Sequence, residues 1–115
     1  MPDRDLVQFE ELAAEGMLGL LEVAGGADVA RHILLPLNSR PAAEREMLIN
    51  AVTVWLSHNG AWDPSARKLA VHRHTLRHRI SAVERLLGLD LEQFADRAEL
   101  WAALQLARRS TGSST

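Results

Sequence analysis

Apolar residues along this chain recur at spacings of three and four, and strict alternation of apolar and polar positions is hard to find, so the pattern predicts an all-α fold. Phe9 to Val23 reads as a first helix ended by Gly25-Gly26, and a second runs from a cap at Asp28 to about Leu35, where Pro36 stops it. Leu37 to Pro41 has the composition of a linker. Beyond it, Leu48, Ala51, Val52, Trp55 and Leu56 form the apolar stripe of a long helix over 42–58 that closes at Asn59-Gly60. Asp63-Pro64 marks the next start, with Asp as the cap and Pro at the first helical position, and opens a short helix to about Ala70. Val71-His72-Arg73 interrupts it, and a new stripe of Leu76, Ile80, Val83 and Leu87 follows, closed by Gly88. Asp96 and Glu99 have the spacing of a capping box ahead of Leu100, Trp101, Leu104 and Ala107, and the small polar tail over 110–115 is expected to be disordered.

Two helices joined by so short a turn cannot lie antiparallel, and the segment from about Asp63 to Leu87 has the makings of a helix-turn-helix. That motif needs small residues where the helices cross, an apolar residue at the turn and apolar anchors under the second helix. Ala66 and Ala70 supply the first, Leu69 and Val71 fill the crossing, and Leu76, Ile80 and Val83 supply the anchors. Trp55 and Trp101, at helical spacing, and Trp62, in the turn, read as core. The outer face of the second helix then presents Arg73, His74, Thr75, Arg77 and His78 as candidates for DNA base contact, with Arg77 projecting opposite Leu76 and Ile80. Arg67, Lys68, His72 and Arg79 are candidates for phosphate contact.

Charge sharpens this picture. The formal net charge is -2, but residues 1–63 carry ten acids and four bases, whereas residues 64–85 carry one acid and six bases. A basic island of that kind attracts phosphate while the rest of the molecule repels it. The chain has no cysteine, which excludes disulfides, thiolate metal sites and a cysteine nucleophile and fits a reducing cytoplasm. Its start, MPDRDLVQ, lacks the apolar run of a signal peptide, and no apolar stretch approaches the roughly 20 residues of a membrane helix, so no membrane partner is expected.

The run VHRHTLRHRISAVERLLGLDL, followed by DRAELWAALQLARR, closely resembles the C-terminal helix-turn-helix of the PucR/CdaR family of bacterial transcription regulators, whose usual form is near VHRNTLRYRLRRIEELLGLDL and then D-R-x-E-L-W-x-A-L. The resemblance covers about Glu46 to Arg109. It departs from the family in the reading helix, where His74 stands for the usual Asn and His78 for the usual Tyr, so the operator sequence does not carry over. What the resemblance implies is a small helical bundle, Fis-like, over 41–109 that binds double-stranded DNA sequence-specifically as an output domain. Residues 1–37 are then a helical remnant or linker of an upstream regulatory region, and any effector binds that region. A homodimer is expected on DNA, since the motif commonly reads two half-sites as a symmetric pair.

Rival chemistries are weaker. His72, His74 and His78 form H-x-H-x3-H, but the nearest acids are Asp63 and Glu84 and the surrounding arginines repel a cation, so no metal is expected. No Gly-rich phosphate loop follows a strand and no serine sits in a triad context, so neither an enzyme nor a cofactor site is indicated. The remaining alternative is a helical dimerisation module that does not bind DNA, using the helices of Trp55 and Trp101.

Overall fold

A computed structural model describes residues 16–113, with side chains through 110. Among the described residues the chain is helical and contains no strand: α1 Met17–Val23, α2 Gly26–Asn38, α3 Ala42–Ser57, α4 Trp62–Leu69, α5 Arg73–Leu87 and α6 Phe94–Ser113. The all-α expectation holds. Residues 9–15 of the first predicted helix lie outside the described residues.

The stripes read from the sequence are the faces that meet. In α3 the buried residues are Leu48, Ala51, Val52, Trp55 and Leu56, and in α5 they are Leu76, Ile80 and Val83. Together with Leu91, Leu100, Ala103, Leu104 and Leu106 they form one core. Leu91 plugs that core from the loop after α5. Its amide donates to Glu84 Oε2 at 2.8 Å, and Arg97 Nη1 donates to the Leu91 carbonyl at 2.9 Å, so the loop is tied to both flanking helices.

Four expectations need correction. The second helix begins at Gly26 and passes through Pro36 to Asn38, because Leu34 and Leu37 on either side of the proline are both buried. Pro36 costs the carbonyl of His32 its amide partner, but both residues are exposed, and water can take the donor's place. Ala30, Leu34 and Leu37 share the core with α3, α5 and α6, and α2 makes the most extensive helix–helix contact of the fold against α6. The helix therefore continues into the stretch that reads as a linker, and the connection to α3 shrinks to residues 39–41.

At the third correction, α4 starts one residue before Asp63, with Ala61 as its N-cap and no side-chain capping bond. Asp63 instead pairs with Arg73 across the turn, at 3.5 Å. Likewise Asp96 caps nothing in its own helix. It lies inside the first turn of α6, and its Oδ2 accepts from the Asp90 amide at 2.8 Å, so Asp96 and Glu99 make no capping box. The fourth concerns the end and face of α6. The helix runs on to Ser113, where the sequence pattern places its end at Arg109, and Trp101 is 44% exposed rather than core. No helix among the described residues is long and apolar enough to cross a membrane.

Two substitutions test this account. Leu37→Ala should destabilise the protein by about 2–5 kcal/mol in urea denaturation, the usual cost of emptying a packed leucine site. A loss below about 0.5 kcal/mol would mean that α2 is not part of the core. Ala70 lies in the left-handed region (φ 55°) and is exposed, so Ala70→Gly should raise stability by about 0.5–1 kcal/mol, with relief of the strain outweighing the entropy glycine gains when unfolded. A lower melting temperature for Ala70→Gly would contradict that balance.

Candidate nucleic-acid interface

The turn between α4 and α5 is built from three local devices. Ala70 adopts the left-handed conformation, and the Val71 amide donates back to the Ala66 carbonyl at 3.0 Å, which closes α4. His72 then serves as the N-cap of α5: its Nδ1 accepts from the His74 amide at 3.1 Å, and its ring stacks on that of His74 with centroids 5.2 Å apart. At the far end Gly88, with φ 68°, ends α5, and the Leu89 amide donates to Glu84. The buried residues of α4 are Ser65 and Ala66, with Ser65 Oγ donating to the Ala61 carbonyl at 2.6 Å. Ala70, expected at the helix crossing, is the turn residue instead.

With Leu76, Ile80 and Val83 buried, the remainder of α5 is forced outward. His74 and His78 are exposed one turn apart on the side opposite the core, with Arg85 further along the same side. Arg73 is exposed but leans back to Asp63 at the start of α4. Arg77 is exposed too, and its guanidinium lies over the ring of Trp62, 4.6 Å from the centroid. It is thus drawn to the flank of α5 rather than standing clear on the outward face. Thr75 and Arg79 are half-buried on the other flank, and Arg67 and Lys68 are exposed in the last turn of α4. The structure therefore gathers the nine candidate residues on one α4–turn–α5 unit and sorts them into a central line and two edges.

Residues 48–106, just over half the chain, match the family model of the PucR C-terminal helix-turn-helix domain. The chain belongs to that family. It is 40% identical to an uncharacterised protein of Thermomonospora curvata over 74% of this chain and 47% of that protein. It is 33% identical to the carbohydrate diacid regulator of Escherichia coli, over 92% of this chain and 27% of the regulator. It is 29% identical to a proline-responsive transcriptional activator of Bacillus subtilis, over 54% of this chain and 15% of the activator. The chain thus spans about half or less of the length of these curated relatives. No solved structure matches it.

As a PucR-type helix-turn-helix, the chain carries the DNA-binding unit of a transcription regulator, and α5 is the second helix of its motif. Two features of the surface were not read from the sequence. Trp62, taken there as a plug in the core, is half-buried and presents one face to Arg77 while its ring centroid lies 5.2 Å from that of Trp55. Asp63 brings a carboxylate to the edge of the basic surface and meets Arg73 there. The spacing of Trp62 and Asp63 from Arg77 and Arg73 carries no periodic signal, since each contact crosses from one helix to the next.

The cap is testable by itself. His72→Ala should destabilise the fold by about 1 kcal/mol in thermal or urea melts, and His72→Ser should recover most of that loss, since a hydroxyl can accept the same amide. Equal stability of His72→Ala and the parent would remove the capping role.

Proposed function

We propose that this chain places the outward face of α5 in the major groove of an operator, with His74 and His78 at base edges. The observation that carries the reading is the burial of Leu76, Ile80 and Val83, which leaves those two histidines at the centre of the exposed face. An imidazole can donate from one ring nitrogen and accept at the other, so it can meet either kind of base edge. Arg67 and Lys68, exposed at the end of α4, lie on phosphate, with Arg73, Thr75 and Arg79 at the borders of the contact and His72 offering its remaining ring nitrogen. The six bases against one acid over 64–85 give this surface its attraction for the backbone.

The same reading makes the chain a binding module rather than an enzyme, acting in the cytoplasm where the operator is met. Two copies bind as a homodimer on two half-sites. The segment ahead of the 41–109 unit continues into a regulatory region that senses the effector. One relative is named a carbohydrate diacid regulator and another a proline-responsive activator, and an effector of small-metabolite type fits that reading.

Binding to duplexes from the promoter next to the native gene, measured by fluorescence anisotropy across a salt series, tests the reading. Affinity should fall steeply with salt, by about 0.9 in log K per log salt for each phosphate neutralised. Lys68→Ala should weaken all duplexes evenly and flatten the slope by about one unit, whereas His78→Ala should cost about 1–3 kcal/mol, concentrated at one base-pair position. Affinity that ignores salt, or a His78→Ala loss spread evenly over a panel of single-base variants, would count against this placement.

A further inference from the structure

Arg77 is the one arginine of α5 whose guanidinium rests on an aromatic ring, and that ring is itself supported. Trp62 is tilted against Trp55 with its centroid 5.2 Å away, and Trp55 is 4% exposed, so Arg77 rests on a tryptophan pair rooted in the core. Among the described residues Arg77 forms no ion pair or hydrogen bond. Glu84 and Glu92 line the same depression, but the Glu84 carboxylate is engaged by the Leu91 amide. A guanidinium resting over a ring keeps its full charge, and the fork of its N–H donors matches a phosphate.

The direction of the stack matters as much as its existence. Trp62 is the first residue of α4, and Arg73, one turn before Arg77, leans the same way to meet Asp63. Both arginines are therefore offered along the flank where α4 begins, away from the line of His74 and His78. In a helix-turn-helix the first helix crosses the DNA backbone while the second enters the groove. We infer that Trp62 is a positioning residue that braces Arg77 toward a phosphate of the strand passing over the start of α4, making Arg77 a backbone anchor and not a base reader. The inference rests on the DNA-binding reading above and refines it. Bracing limits the rotamer freedom that a long cationic side chain otherwise loses on contact, so affinity depends on a residue that need not touch DNA.

The test is a mutant cycle on the full chain, with circular dichroism as folding control and a panel of single-base operator variants read at several salt concentrations. Arg77→Ala should weaken every duplex about tenfold and flatten the salt slope by about one unit. Trp62→Leu should give an even loss of the same kind, Trp62→Phe should stay within about twofold of the parent because it keeps an aromatic face, and Trp62→Leu with Arg77→Ala should be no weaker than Arg77→Ala alone. Additive losses in the double variant, parental binding by folded Trp62→Leu, or an Arg77→Ala loss focused on one base pair would each overturn the brace. Parental chain that binds no duplex in a salt-dependent way would instead remove the DNA reading itself, an outcome distinct from failure of the brace because it is seen before any variant is compared.

Discussion

The burial of Leu76, Ile80 and Val83 sets the rotation of α5 about its own axis, and every property of the exposed surface follows from that rotation. Each such side chain is stabilised by about 1.5–3 kcal/mol when taken out of water, whereas an exposed ion pair is worth about 0–1 kcal/mol. The anchors therefore dominate. No rearrangement of Arg73 or Arg77 toward better surface partners can turn the helix, and the polar side chains take whatever positions the apolar stripe leaves them. His74 and His78 face outward because Leu76, Ile80 and Val83 do not.

Rotation alone does not aim a recognition helix; its tilt against α4 must be set as well. That tilt comes from a turn in which backbone groups satisfy one another: the Val71 amide returns to Ala66, and the His74 amide is taken by the His72 ring. The face that α4 turns inward is small, since its buried side chains are Ser65 and Ala66. At the other end, Leu91 and its bonds to Glu84 and Arg97 fasten the exit of α5 to α6. The helix is thus held at its entry, its buried face and its exit, while the exposed rings of His74 and His78 make no hydrogen bond among the described residues and His74 only stacks on His72.

Much of this was legible in the sequence, and the illegible part has a physical pattern. The stripes of α3 and α5 and the closing glycine at 88 were readable because each arises within one helix from its own period. The functional class was readable because the turn and the recognition helix occupy one continuous run, 71–88. What escaped were decisions made between helices. Pro36 reads as a stop until Leu37 is seen to be buried against the rest of the core. Asp63 and Asp96 read as caps until one finds Arg73 and the other finds the Asp90 amide. Trp62 and Trp101 share a residue type with buried Trp55, yet one lies under an arginine and the other stays exposed, and nothing at their own positions distinguishes them.

The two arginines at the edge of the surface show how differently one charge can be held. Arg73 meets Asp63 at 3.5 Å with both side chains about half exposed or more, a pair that solvent screens and that costs at most about 1 kcal/mol to open. The carboxylate also subtracts from the positive field of the basic surface at its edge. Arg77 is held by a ring with no charge of its own, so its contact neutralises nothing. An ion pair must be given up, at least in part, for Arg73 to take another anion, whereas a guanidinium resting on a ring has no charged partner to leave. Of two arginines one turn apart on the same flank, the one resting on Trp62 keeps in full the charge that the other shares with Asp63.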